Sequence, residues 1–399
     1  MTVEQHDPDN SAPEIAILAL GFRPFFLLAG VWAMLAMALW GLVYFGHVAF
    51  NPGIFTLFQW HGHEMLFGYA AAVIAGFLLT SVKNWTGLQT PDGWHLAVLA
   101  LLWLAARVFL ALGGALVITG VLFNIAFLLT FTLGIGQRIF AVRQWRQSGI
   151  LAVVGALSLA EIGVLIGLVE GKGELVSAMI YGAFYLVLVL ILVMGRRVVP
   201  SFTERGVGYS VTLRQSPQMD RIVLAAVVGY GVNQVLLGPP LLSAVLAAAA
   251  FVCHTGRLMN WYTRGIWSRP LLWSLYLALV FVDLGFLLAA LSPWLAISPY
   301  LVVHAFAAGG IGLVTLSMMC RVALGHTGRD VHNPPRVVAV ALCFMVLAAV
   351  LRVLLPLAMP ASTPQWVALA QIAWIVAFVL FVLAYAPVLF RRRVDGKPG

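Results

Sequence analysis

The run HGHEMLFGYAAAVIAGFLLT, His61 to Thr80, decides how the whole chain is read. A helix needs about 20 residues to cross the hydrocarbon core of a bilayer, and from Met65 onward this stretch is apolar enough to do so. Yet it opens with two histidines and a glutamate within four positions. Ionisable groups inside a span are costly enough to be functional candidates by default. The same twenty residues therefore pose the question of fold and the question of chemistry.

Composition answers the first. Of 399 residues, 62% are hydrophobic and only 9% charged, where a soluble domain carries roughly 25% charged residues. This excludes a soluble globular protein and predicts an all-α polytopic membrane protein. Runs of span length can be marked twelve times, at 25–46, 57–80, 95–115, 118–137, 150–168, 175–195, 222–237, 240–260, 271–291, 299–320, 337–358 and 365–389. The tightest boundary is LLGPPLLS, where Pro239 and Pro240 interrupt any continuous helix. The start, MTVEQHDPDNSAPE, has no basic n-region, so the first apolar run reads as a true span rather than a signal peptide. The expected organisation is a polar tail over 1–20, one transmembrane domain over 21–390 and a basic tail over 391–399. Cys253, Cys320 and Cys343 are too scattered for a disulfide framework.

Charge tests the count. Alternate connections hold Arg23; Lys83; Arg138, Arg143 and Arg146; Arg196, Arg197, Arg205, Arg214 and Arg221; Arg257, Arg264 and Arg269; Arg321, Arg329 and Arg336; and Arg391, Arg392, Arg393 and Lys397. Lys172 stands alone on the other side, and Arg107 and Arg352 lie within spans. By the positive-inside rule both termini are expected in the cytoplasm. The net charge of +9 is then a matter of topology and lipid contact, and no nucleic-acid partner is called for.

The chain also matches itself weakly at an offset of 241, which sets His63 on His304, Gly68 on Gly309 and Thr86-Gly87 on Thr327-Gly328. A slightly larger offset sets Arg107, in WLAARVFLAL, against Arg352, in AAVLRVLLPL. These pairs are eight spans apart, and spans four, eight and twelve each end in a basic cluster. A three-fold repeat of four-helix units accounts for the pattern, with the middle copy the weakest because its corresponding span has no histidine.

The intramembrane ionisable residues are His61, His63, Glu64, Arg107, Glu161, His254, Asp283, His304 and Arg352. At about 1.5 Å per residue, His61, His63, His304, Arg107 and Arg352 all fall in the outer half. Imidazole is a common ligand of haem iron and of copper, and arginine suits the pairing of haem propionates. A b-type haem with His63 and His304 as axial ligands and Arg107 and Arg352 at the propionates would explain four expensive residues together. His61 and His63 point about 200° apart on a regular helix at roughly 100° per residue, so they cannot face one centre; His61 is a candidate for a further haem or copper ligand. His254, deep in span eight, is the next candidate, and a solvent or packing role competes evenly. His326 closes the helix that His304 opens and cannot share its centre; a metal role there competes with simple solvation. Met318 and Met319 could ligate copper, though core packing is the commoner role. Glu64, Glu161 and Asp283 could carry protons or equally join helices by hydrogen bonds.

Four stretches, GFRPFFLLAG at 21–30, WHGHEMLFGYAAAVIAGFLLTSVKNWTG at 60–87, GRRVVPSFTERG at 195–206 and RVALGHTGR at 321–329, strongly resemble the NnrS family, and the resemblance runs through essentially the whole chain. It implies a bacterial inner-membrane protein containing haem and copper, associated with nitric-oxide metabolism and resistance to nitrosative stress. One departure stands out: the family pattern leads one to expect a proline near Lys83 in SVKNWTG. Twelve spans with histidines on spans two and ten also look like the catalytic subunit of haem-copper oxidases and nitric oxide reductases. The histidines that pattern wants on spans six and seven are missing, which argues against its dinuclear centre and against oxygen reduction.

Three classes of function stay open on these residues: a redox enzyme fed by an unidentified electron donor, a haem-based sensor or binder of nitric oxide, and a transporter for copper or a small solute.

Overall fold

The computed structural model describes residues 16–396. Those residues form helices throughout, with no strand among them, and twelve helices are long and apolar enough to cross a membrane. We number them α1 (Phe22–Tyr44), α2 (Leu57–Thr86), α3 (Gly93–Leu112), α4 (Gly114–Ala141), α5 (Trp145–Val169), α6 (Gly173–Gly206), α7 (Pro217–Leu237), α8 (Pro240–Trp261), α9 (Pro270–Leu291), α10 (Pro299–His326), α11 (Arg336–Ala358) and α12 (Pro360–Phe390). All twelve expected spans are present, and the tail over 1–15 and residues 397–399 lie outside the described residues.

Local sequence sets the helix ends. Thr56 caps α2 by accepting from the backbone N–H of Gln59, whose side chain returns the bond to the Thr56 N–H, a reciprocal arrangement that satisfies two orphan donors. Ser216 caps α7 ahead of Pro217. The predicted break between α7 and α8 is real: Gly238 takes φ +83° and Pro240 starts α8. Several helices outrun their expected limits, α2, α6 and α10 by six residues or more at their C-terminal ends. With lysine at position 83, no ring removes a backbone donor, and α2 continues until Gly87 turns left-handed at φ +71°. Helix α6 continues through Pro200 to Gly206. Its 34 residues measure about 50 Å at 1.5 Å each, so Arg196, Arg197 and Arg205 ride on a helical extension rather than a loop.

Hydrogen bonds gather the basic segments at one end of the bundle. Arg138 donates to the Gln89 carbonyl, Arg197 to Gln147, Arg269 to the His332 carbonyl and Arg393 to the His326 carbonyl. The alternation read from charge is thus an alternation in space.

The repeat has a structural counterpart. Helices α2, α6 and α10, four apart in the chain, pack on one another at the centre and are among the most buried spans. In α2 the helix widens to i→i+5 bonding over Glu64–Ala70, directly after His63; in α10 it does so over Ala305–Gly312, directly after His304. Gly68 and Gly309 sit in these wide turns where a Cβ would collide, with Arg107 Nη1 at 2.5 Å and with Phe281 Cβ at 2.5 Å. Both helices end alike. The Thr86 and Thr327 hydroxyls donate to the carbonyl four residues back, and Gly87 and Gly328 follow at φ +71° and +75°. Helix α6 has no such wide turn, in line with its lacking a histidine.

Candidate functional site

The five histidine and arginine residues His61, His63, Arg107, His304 and Arg352, expected together, divide into two separate groups. The first is a closed ring of side chains. His63 Nε2 lies 2.9 Å from Glu161 Oε1 and its Nδ1 3.0 Å from Glu64 Oε1. Arg107 Nη1 donates to both Glu64 oxygens at 2.9 Å, and Nη2 donates to Asn124 Oδ1 at 2.6 Å. Asn124 Nδ2 closes the circuit on Glu161 Oε1 at 2.9 Å. Helices α2, α3, α4 and α5 each contribute, and all five residues are buried. Ionised carboxylates only accept hydrogen bonds, so with both ring nitrogens facing carboxylate oxygens the trio of His63, Glu64 and Glu161 holds one proton beyond a neutral imidazole. As held here, both His63 ring nitrogens and the Arg107 guanidinium are engaged by carboxylates. The wide turn beside His63 and the missing Cβ of Gly68 let Arg107 reach α2 at all.

The second group is open. His304 Nδ1 donates to the Tyr300 carbonyl at 2.7 Å, which fixes the tautomer and leaves Nε2 with a lone pair. The charges bearing on His304 are those of Arg352 and His61, and Arg352 also bears on His61. His61 stacks on Trp40 of α1, centroids 4.4 Å apart and planes within 11°. Thus His61 and His63 do face opposite ways. Phe58 and Tyr300 stack above at 6.2 Å. Arg352 lies in a wide turn of α11 over Val350–Leu354, half-buried, beside Tyr44. Among the described residues its guanidinium has no hydrogen bond or ion pair. The group therefore offers two imidazoles with nitrogens free of hydrogen bonds, and one cation with no hydrogen bond or ion pair, among the described residues.

The remaining candidates lie elsewhere. His254 of α8 is fully buried, with Nδ1 held 2.5 Å from Asp283 Oδ1 of α9 and Nε2 without a partner. Thr255 steadies the other Asp283 oxygen, and Arg257 pairs with Asp220 of α7. A carboxylate on one imidazole nitrogen is how metal-binding histidines are commonly oriented. His326 packs on Phe22 at the basic end. Met318 and Met319 are core residues. Among the described residues no three histidine, cysteine or carboxylate side chains gather as a metal cage.

The sequence reading missed Asn124, Trp40 and Asp220. A single amide inside the run GVLFNIAFLL was the available signal for Asn124, since amides within spans tend to bond across helices; nothing set Trp40 apart from other interfacial tryptophans.

These features define a class, a twelve-span helical membrane protein with an internal repeat and ionisable clusters in the half away from its basic end. The sequence profile of the NnrS protein family matches residues 16–393. The chain belongs to the NnrS family. A search of the curated proteins finds no match.

Proposed function

We propose that this chain is a haem-containing protein of the nitric-oxide response, set in a bacterial inner membrane with both termini cytoplasmic. The observation that carries the reading is the open group: the His304 lone pair beside the unpaired Arg352 guanidinium, with His61 adjacent. An imidazole nitrogen suits an axial position, and an arginine without an anion suits a propionate. A haem there would supply an iron that takes a diatomic ligand and exchanges one electron. The chain's own part is to fix the imidazole through Tyr300, to neutralise buried anionic charge with Arg352, and to wall the site with Trp40 and Phe58. His63 and Arg107, on this reading, hold α2–α5 together rather than touch the haem.

Copper is the second metal the family resemblance implies, and with the His304 lone pair given to the haem, the His61 imidazole is the donor that favours it here. The electron donor stays unassigned, and binding without turnover, as in a sensor, uses the same residues.

The test is a reduced-minus-oxidised spectrum of the purified protein beside His304→Ala, His61→Ala and His63→Ala. A b-haem signal lost in His304→Ala and kept in His63→Ala supports the site. A signal kept in His304→Ala moves the ligand to His254. A colourless protein despite ample haem supply discards the haem and brings transport of copper or a small solute forward. Anaerobic consumption of nitric oxide under reductant separates an enzyme from a binder.

A further inference from the structure

Two of the stretches that carry the family resemblance, GRRVVPSFTERG and RVALGHTGR, take no part in the outer-half groups. They meet instead at the basic end. Gly206 from the first and Arg321 from the second line one cavity of about 210 Å³, open space at its mouth included, together with Arg269 and Leu271 at the start of α9 and His332 between α10 and α11. Beneath it Phe202 packs on a small satellite core of Val207, Ile266 and Leu272.

Two cations share this cavity. Arg321 is only 9% exposed, and its guanidinium lies over the Phe202 ring at 4.0 Å. Among the described residues it has no hydrogen bond or ion pair. Arg269 donates Nη1 to the His332 carbonyl at 3.1 Å, which holds the side chain in place, while its Nε is buried without a partner. The neighbouring acids are spent: Asp330 accepts from the His332 N–H and the Asn333 amide, and Glu204 from the Leu213 N–H. Arg264 and Arg336 also lack partners, but they are exposed, and water serves an exposed guanidinium. A buried charge has to be paired or hydrogen-bonded. A third donor lies beside the two cations. The Leu271 N–H, in the first turn of the 22-residue α9, has no acceptor among the described residues, and the start of a helix favours negative charge.

We propose that Arg321, Arg269 and the Leu271 N–H form a binding site for a phosphate group, either free phosphate or the headgroup phosphate of a phospholipid at the basic end. Size selects a single group, because the cavity falls below the roughly 300–1,000 Å³ of small-molecule pockets. Direction selects its shape. Donors arrive from α10, from the residue ahead of α9 and from the α9 backbone, and a tetrahedral phosphate can turn an oxygen to each, whereas a carboxylate has only two oxygens. A guanidinium fork matches phosphate oxygens, and the Phe202 ring fixes the plane of one such fork.

The experiment uses the delipidated full chain in detergent and chloride buffer. Calorimetry with inorganic phosphate tests the free ion, and native mass spectrometry with phosphatidylglycerol, set against diacylglycerol, tests the lipid. Wild type should bind at least one of the two probes. Arg321→Gln and Arg269→Gln should each weaken that binding about tenfold or more, while Arg264→Gln and Arg336→Gln leave it unchanged. Binding of phosphate on this pattern assigns the free ion; binding of phosphatidylglycerol with phosphate inert assigns the headgroup. Failure of both probes on wild type overturns the site, as does binding kept in Arg321→Gln and Arg269→Gln or lost equally in Arg264→Gln. A monodisperse elution profile for each variant separates lost binding from lost fold, and the half-buried Arg269 decides the matter if Arg321→Gln does not fold.

Discussion

The first and third copies of the repeat carry the same pair of residues in opposite electrostatic condition. His63 and Arg107 are locked into a ring with Glu64, Asn124 and Glu161, in which both imidazole nitrogens and both Arg107 Nη atoms are matched and only Arg107 Nε is left over. His304 and Arg352 have no carboxylate at all, only a backbone carbonyl on one imidazole nitrogen. The wide turn, the tight glycine and the helix end are shared, so the backbone does not make the difference. Glu64 and Glu161 do: α2 and α5 supply anions to the pair in the first copy, and the pair in the third copy has none. A buried ion pair that is complete says little about stability, but removing one partner strands the other and costs about 3–5 kcal/mol. A cation already without a partner has nothing to strand.

That contrast can be broken at several points. The largest expected effect is spectroscopic: His304→Ala should abolish the haem signal, while His63→Ala protein that survives purification should keep it, and the reverse result would exchange the two roles. Next, Arg107→Ala should lower unfolding stability in detergent by about 3–5 kcal/mol, read by thermal melting. Arg352→Leu, the matching change in the other copy, should shift stability by less than about 1 kcal/mol while weakening haem retention. If both arginines prove equally important to the fold, the open group is not open. Gly68→Ala forces a Cβ against Arg107 and should cost about 1–3 kcal/mol through overpacking. The last change tests only the frame: Thr56→Ala removes the α2 cap and should cost about 1 kcal/mol without touching the haem spectrum.

Span number and the gathering of charge at one end were legible because a bilayer leaves few solutions: backbone polar groups must be satisfied within helices. The placing of His61, His304 and Arg352 in the half away from the basic helix ends followed from rise per residue alone. What the sequence hid was partnership. Glu161 lies 98 positions from His63 and Asn124 17 from Arg107, and periodicity carries no information about which helices touch. Composition and spacing made His63 and His304 look like one pair. Only packing reveals that one imidazole is saturated by acids and the other is not. The ends of α2 and α6 ran past expectation for a simpler reason: polar residues stop a membrane run but do not stop a helix.

The bond from Arg23 to the carbonyls of Leu389 and Arg391 spans 366 and 368 positions, nearly the full length of the chain, and draws α1 against α12. During synthesis α1 is made first and its fully buried arginine must wait for the last helix before those acceptors exist. Until then the bundle is an open arc with one unfinished seam. Assembly of this protein is therefore timed by its final turn of helix, and a chain that stops short of Leu389 lacks the clasp that closes it.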